Sequence, residues 1–290
     1  MNRPAPETVA ALLAEASDSL VRAGVPSPEA DAELLVGHVL GLSRGAVHAR
    51  ALTGSEVDPE STSSIRSAVS RRAAREPLQH ITGTAAFRSL ELRVGPGVFT
   101  PRPETETVAQ FAIDALLAVP SPEPVAVDLG TGSGALALAL ATEVPHSSVV
   151  AVENSPDAFV WARENARRVG APNLRLVFDD LGRAVPELDG LVDVVVSNPP
   201  YIPAGAIPRD PEVRLHDPRA ALYGGADGFD VVRALSRRAL GLLRPGGVLV
   251  VEHGDEQGGG MRTLLAADGW RAIATHRDLS LRDRVTTALR

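Results

Sequence analysis

Two short stretches carry side chains whose types and order suit chemistry on nitrogen. The first is Asp128-Leu129-Gly130-Thr131-Gly132-Ser133-Gly134-Ala135. Its glycines let a ligand approach the backbone, and where such a turn opens a helix the first N–H groups point outward without partners. Glu153, about twenty residues on, ends the next apolar run and suits the two hydroxyls of a ribose. The string also satisfies G-x-G-x-x-G/A, so on the glycines alone a nicotinamide dinucleotide, and with it a dehydrogenase, stays open. Asp128 weighs against it: a carboxylate two residues before the first glycine repels a pyrophosphate. The same carboxylate attracts an ammonium or a sulfonium, so S-adenosylmethionine is the expected cofactor.

The second stretch is Asn198-Pro199-Pro200-Tyr201, directly after the apolar run VDVVVS. A strand ending there would put these residues beside the glycine turn, where open α/β sheets bind ligands. An amide or aromatic amine gives its lone pair to a π-system and is a poor nucleophile. The Asn198 side-chain carbonyl and the Pro199 backbone carbonyl can both accept from such an NH2, fixing its orientation and stabilising positive charge as a methyl arrives. Proline stiffens the loop and removes a competing donor. Tyr201 offers a flat apolar wall. No strong base is required, because the methylated nitrogen can shed its proton afterwards.

The elements that must position these residues follow from periodicity. VAVDLG, SVVAVE, NLRLVF, VDVVVSN and GVLVVEHG read as buried strands. GALALALATEV, SPDAFVWARENARRVG (Ser155 as N-cap, Pro156 at the first helical position) and DGFDVVRALSRRALGLL, stopping at Pro245-Gly246-Gly247, read as helices. WRAIATHRDL and DRVTTALR suggest a closing hairpin, which brings the sheet to seven strands. Alternation of this kind means a mostly parallel sheet covered on both faces. Before it, residues 5 to 76 read as short helices, with Ser27-Pro28-Glu29 as one start signal. LQHITG and FRSLELRV alternate as strands do and suggest a linking β-hairpin. A further helix is expected within PETETVAQFAIDALLAV.

The chain has 290 residues, net charge -7, 44% hydrophobic residues and no cysteine. That apolar fraction supports a full core and excludes wholesale disorder. The missing cysteines exclude a disulfide framework, a thiolate metal site and a cysteine nucleophile. All basic residues are arginine, which excludes a catalytic lysine. The acidic balance argues against a nucleic-acid duplex as main partner. Arg71, Arg72 and Arg75 form one basic cluster, read as a solvated helix face. His38 and His48 have no acidic neighbour at ligand spacing, so no metal is expected. No apolar run is long enough for a membrane span and the N-terminus does not read as a signal peptide, so a cytoplasmic protein is expected.

DLGTGSG followed by a strand-borne NPPY resembles the class I S-adenosylmethionine-dependent methyltransferases that modify amide or exocyclic amine nitrogens. PLQHITGTAAF, FTPRPETE, VSNPPYI, HDPRAALYGGADGFD, LRPGG and VVEHGDEQG, in this order, resemble the glutamine-N5 methyltransferases of peptide chain release factors. The TPRPETE stretch at 100 to 106 is the most specific of these. The resemblance implies a Rossmann-like class I methyltransferase fold with a small helical N-terminal domain. It divides the chain into a substrate-docking domain (1–76), a hairpin and TPRPETE linker (77–107) and a catalytic domain (108–290).

The resemblance also implies roles. Asp128, Gly130, Thr131, Gly132, Ser133, Gly134, Glu153 and Asn198 would hold the cofactor, with Asp180 and Leu181 flanking its adenine. Asn198, Pro199, Pro200 and Tyr201 would grip the substrate glutamine, with Asn198, Pro199 and Tyr201 as the catalytic group. Arg102 to Glu106 would close over the cofactor's methionine end and shape the entrance, with Arg102 and Glu104 on the substrate side. Glu153 stands where relatives mostly carry Asp, Asp179 where Gly is usual, Thr100 where the position is often apolar, and His80 where many have Tyr. The expected reaction takes a methyl from S-adenosylmethionine to the glutamine of the Gly-Gly-Gln motif of class I release factors, leaving S-adenosylhomocysteine. A monomer is expected, without metal, membrane or direct nucleic acid. The alternatives are an adenine-N6 DNA or RNA methyltransferase, a ribosomal-protein glutamine methyltransferase, and a binding module that has lost activity.

Overall fold

The computed structural model describes residues 7–290. The opening MNRPAP, where the sequence expects the first helix to begin near residue 5, lies outside the described residues. The packing resolves into two compact units. One contains the residues through Gly83 plus Arg209–His216, the other Thr84–Pro208 plus Asp217–Arg290.

The first unit is helical. β1 (Glu7–Thr8) leads into α1 (Val9–Arg22), α2 (Pro28–Leu40) and α3 (Arg44–Leu52), and β2 (Glu56–Val57) pairs back on β1 before α4 (Pro59–Ala73). Thr8, Ser43 and Asp58 cap α1, α3 and α4 by accepting from the backbone N–H three residues on. Ser27 stands at the N-cap of α2 with Pro28 inside it, but its hydroxyl makes no capping bond. Leu12 and Leu20 of α1, Leu35 of α2 and Ile65 of α4 meet in a shared core. Burying each is worth about 1.5–3 kcal/mol.

Two expectations fail here. LQHIT is a short helix, α5 (Leu78–Thr82), and not a strand. The Pro77 carbonyl accepts from the His80 and Ile81 N–H groups, Gly83 ends the helix at φ 73, and consecutive His80 and Ile81 are both buried. Six residues are too few to separate a period of 2 from one of 3.6. The arginine cluster is not a solvated face. Arg72 is 6% exposed and lies 2.7 Å from Asp31 and 2.8 Å from Glu212, while Arg75 lies 2.7 Å from Glu212. Arg71 pairs with Glu76. Burial opposes ionisation of Glu212, but hydrogen bonds led by Arg75 outweigh it and hold the carboxyl at about 2.

The second unit opens with a hairpin, β3 (Thr84–Phe87) on β4 (Leu90–Arg93), and α6 (Thr105–Leu117). Then follow β5 (Val125–Leu129), α7 (Ala135–Glu143), β6 (Ser148–Glu153), α8 (Pro156–Val169), β7 (Leu174–Phe178) and β8 (Val192–Ser197). The chain supplies α9 (Pro211–His216) to the first unit and returns through α10 (Arg219–Leu222) and α11 (Asp230–Leu242). β9 (Leu243–Glu252), α12 (Gly258–Ala267), β10 (Arg271–Arg277) and β11 (Asp283–Leu289) complete it.

The sheet has seven strands in the order β10-β11-β9-β8-β5-β6-β7, parallel except for the β10–β11–β9 edge. Alternate residues feed opposite faces. Ala126, Ala151, Val194 and Val250 pack with α6 and α7, whereas Val127, Val150, Val195 and Leu249 pack with α11 and α12. α7 is buried nearly all round, as its unbroken Ala-Leu alternation requires. α11 ends within a residue of expectation, but β9 starts earlier than expected, so Pro245-Gly246-Gly247 lies inside the strand. The register against β8 jumps from Val192–Leu243 to Val194–Val248, so the extra residues bulge out of the ladder.

Candidate active site

The parallel strands end along one edge. Asp128 pairs with Val196 on one side and Ala151 on the other, and Ser197 pairs with Val251. Leu129, Glu153, Ser197 and Glu252 therefore finish side by side, and everything that follows them in the chain gathers at that edge. The Ser197 hydroxyl donates to the Leu129 carbonyl at 2.6 Å. That bond ties the residue before Gly130 to the residue before Asn198.

In the glycine turn Gly130, Gly132 and Gly134 have φ of 79°, 59° and 88°, the left-handed region that favours glycine. A Cβ on Gly130 or Gly132 would meet nothing, so their outer side is open. The Gly130 and Thr131 N–H groups donate to the Val152 carbonyl. The Ser133 carbonyl accepts from the Asn165 side chain at 2.9 Å.

Asp128 lies beneath this turn, 0% exposed. One carboxyl oxygen accepts from the Thr131 hydroxyl at 2.6 Å and the Ala137 N–H at 3.2 Å, while Oδ1 has no partner. Burial pushes the group up to about 7 against those two bonds. Glu153 is also buried and accepts from the Gly132, Asn154 and Ser155 N–H groups at 2.8, 3.0 and 2.8 Å. A carboxylate has about four lone-pair sites, so capacity remains for a hydroxyl. An unpaired acid oxygen under an open glycine turn, with an acceptor-rich carboxylate beside it, fits a nucleoside cofactor that carries positive charge.

The third strand end stands next to Glu153. The Asp179 N–H donates to the Glu153 carbonyl at 3.1 Å. Asp180 accepts from the Gly182 N–H at 2.9 Å and from the Asn154 side chain at 3.4 Å, and Leu181 packs against the apolar face below. Asp179 accepts from the Asp180 N–H and from the Arg183 guanidinium.

Asn198 to Tyr201 leave β8 at the same edge. The Asn198 side-chain nitrogen donates to Thr105 Oγ1, at the start of α6, at 3.3 Å. The Tyr201 carbonyl accepts from Gln257 Nε2 at 2.9 Å, and the Ile202 backbone bonds Leu222 and Gly224. A Cβ on Gly224 would come within 2.4 Å of the Pro200 carbonyl and one on Gly228 within 2.3 Å of the Tyr201 carbonyl, so only glycine fits against this loop. Burial pushes the Tyr201 phenol up to about 12, so it stays protonated. Gly224, Gly228, Glu252 and Gln257 are site residues to which sequence reading gave no role, and Thr105 was placed only within the Arg102–Glu106 stretch, with no link to Asn198. Their only signal was membership of TPRPETE, LYGGADGFD and VVEHGDEQG.

The TPRPETE stretch is bound into the second unit. Arg102 pairs with the buried Asp217 at 2.7 Å, and its guanidinium lies 5.1 Å over Phe99. Glu106 accepts from the Arg88 N–H at 2.9 Å. Thr100 is fully buried, and Glu104 is exposed, with its charge felt by Tyr201 and Glu252.

The sheet order, the glycine turn and the loop at the strand ends define a class I, Rossmann-like methyltransferase. A 16S rRNA N2 G1207 methyltransferase of T. thermophilus, solved with AdoMet and guanosine, shares the fold. Its TM-score is 0.53 at 23% identity, over 71% of this chain and 49% of that one. Residues 89–209 match the methyltransferase small domain and residues 11–83 the PrmC N-terminal domain. The release factor glutamine methyltransferase of Streptomyces coelicolor is 51% identical over 95% of this chain and 96% of its own. That of Mycolicibacterium smegmatis is 46% identical over 95% of each. The chain belongs to the release factor glutamine methyltransferase family. A 4-amino-L-phenylalanine/4-methylamino-L-phenylalanine methyltransferase of Streptomyces pristinaespiralis is also similar, 40% identical over 98% of this chain.

Proposed function

We propose that this chain methylates the side-chain amide nitrogen of the glutamine in the Gly-Gly-Gln motif of class I release factors. S-adenosylmethionine, the methyl donor in this reading, supplies a methyl group on a positively charged sulfur and leaves as S-adenosylhomocysteine. Gly130 to Gly134 and Asp128 receive its charged amino-acid end, Glu153 its ribose, and Asp180 with Leu181 its adenine. Asn198 Oδ1 and the Pro199 carbonyl accept from the substrate NH2. Tyr201 walls the acceptor, and Pro200 stiffens the loop. Catalysis then comes from positioning and from acceptors aimed at the nitrogen as it gains charge. Arg102 acts on substrate by holding the entrance in shape through Asp217, with Glu104 at its rim.

The observation that supports this reading is the Ser197–Leu129 bond, which ties the start of the Asn198–Tyr201 loop to the start of the glycine turn. The enzyme is taken as a cytoplasmic monomer that works on protein, without metal, membrane or direct nucleic acid. Among the described residues no helix is long and apolar enough to cross a membrane.

Peptide mass spectrometry of a class I release factor incubated with the protein and S-adenosylmethionine tests the reading. One added methyl on the Gly-Gly-Gln glutamine is the expected result. Methylation of 4-amino-L-phenylalanine instead, whose aryl amine nitrogen also shares its lone pair with a π-system though less fully than an amide, would overturn the substrate while keeping methyl transfer to a conjugated NH2. Ribosomal protein and nucleic acid serve as further acceptors in the same assay.

A further inference from the structure

Asn198 presents a planar amide whose oxygen and nitrogen ends have nearly the same shape. Packing alone therefore does not choose which end faces substrate; hydrogen-bond partners must. The productive orientation needs Oδ1 outward, because the substrate nitrogen brings only hydrogens. Three observations bear on how that orientation is held.

First, Asn198 Nδ2 donates to Thr105 Oγ1 at 3.3 Å. Second, Ser197 and Val251 are register partners, so Glu252 ends β9 alongside Asn198, and the Thr105 and Asn198 side chains lie near enough to its carboxyl to favour the ionised form. Third, Glu252 is 3% exposed and its Oε2 has no hydrogen-bond partner, so the carboxyl is not dispersed among other donors. A hydroxyl can donate or accept, whereas an ionised carboxylate only accepts. Facing Glu252, the Thr105 hydroxyl must donate to it and keeps only lone pairs for Asn198. Those lone pairs can receive Nδ2 but not Oδ1.

We propose that Glu252 and Thr105 form a directed hydrogen-bond relay that locks the Asn198 amide with Nδ2 inward and Oδ1 toward the substrate nitrogen. Both are positioning residues, acting through Asn198. The inference rests on the proposed amide methylation.

Protonation reverses the relay. A neutral Glu252 can donate to Thr105, whose hydroxyl is then free to donate to Asn198 Oδ1, the unproductive orientation. Burial pushes Glu252 up to about 7, against the nearby Thr105 and Asn198 side chains and attraction by Arg284 of β11; Glu104 adds repulsion. The other groups around it are the Tyr201 phenol, protonated throughout, and His253, the next residue, whose pKa burial lowers. Activity should therefore fall as pH drops through about 7.

The test compares Thr105→Val, Thr105→Ser, Glu252→Gln and the parent, reading kcat, KM for the release factor and cofactor affinity from pH 6 to 9. Loss of one oriented contact is worth roughly tenfold to hundredfold in kcat. Thr105→Val should lose that much with KM and cofactor affinity within about threefold, and Thr105→Ser should recover most of it. Glu252→Gln can donate as well as accept, so it should lower kcat and erase the acid limb. A merely structural role would lower stability but leave the pH profile of the remaining activity unchanged. Parental kcat in Thr105→Val, or an unchanged acid limb in Glu252→Gln, overturns the relay. The Asn198 side-chain NH2 signal in 15N spectra, assigned by its loss in Asn198→Asp, gives a readout independent of substrate. It should titrate near neutrality in the parent and not in Glu252→Gln; identical titration in both also overturns the relay. A parent that leaves every release factor unmodified, with the NH2 titration behaving as expected, overturns the proposed substrate and supports the relay.

Discussion

The Ser197 hydroxyl reaches across from the end of β8 to the Leu129 carbonyl at the end of β5, a buried bond of 2.6 Å between residues 68 apart in sequence. It joins the two segments whose relative placement the reaction depends on. Ser197→Ala leaves the Leu129 carbonyl unpaired in a dry site, a cost of about 1–3 kcal/mol. We expect a matching drop in urea-unfolding stability and a lower kcat with little change in cofactor affinity. An unchanged unfolding curve would show that the bond contributes nothing.

Asn198→Ala removes the side-chain acceptor for the substrate NH2 and leaves the glycine turn intact. Cofactor affinity by calorimetry should stay within a few fold, while turnover falls by at least about a hundredfold. Retained turnover would remove Asn198 from the reaction.

Glu153→Ala deletes an acceptor that also anchors the Gly132, Asn154 and Ser155 N–H groups. The cofactor dissociation constant should rise about tenfold to hundredfold. Normal affinity in calorimetry would refute the ribose assignment.

Asp128 and Glu252 are both raised by burial to about 7, from ordinary values of 3.8 and 4.5. Between the ordinary and raised values the unfolded chain has released a proton that the folded one keeps. Stability therefore falls as pH rises across that window and levels off above about 7. Unfolding free energy measured at pH 5 and pH 8 should show this decline, and Glu252→Gln should reduce it to the part that Asp128 contributes.

Glu212 behaves in the opposite sense, since its carboxyl is held at about 2 against an ordinary 4.5. Its contribution is complete above about 4.5 and is lost as pH falls toward 2. Glu212→Gln should destabilise the helical unit at pH 7, by on the order of 1–3 kcal/mol because Asp31 still pairs Arg72, and should lessen its acid sensitivity. Equal acid melting in both proteins would contradict the ion-pair account.

What the sequence determined by itself was set by local patterning. Continuous apolar runs give the five parallel strands, Ser155-Pro156 starts α8, and glycines at 130, 132 and 134 state their turn, because backbone conformation and strand burial depend on near neighbours. The same local logic exposed Asn198 to Tyr201, whose proline pair marks a loop at a strand end. It failed where the pattern was short or tolerant: LQHIT was too brief to show its period, and Pro245-Gly246-Gly247 reads as a break although it bulges from a strand. Only the tertiary structure decided which distant side chains complete the site. Thr105, Glu252 and Gln257 reach the Asn198–Tyr201 loop because the β8–β9 register and the start of α6 bring them there. Arg72 is buried, despite its arginine neighbours, because Asp31 and Glu212 arrive from other parts of the chain. A partner's charge or hydroxyl is felt only within a few ångströms, and contacts at that range between remote residues leave no periodic trace in the sequence.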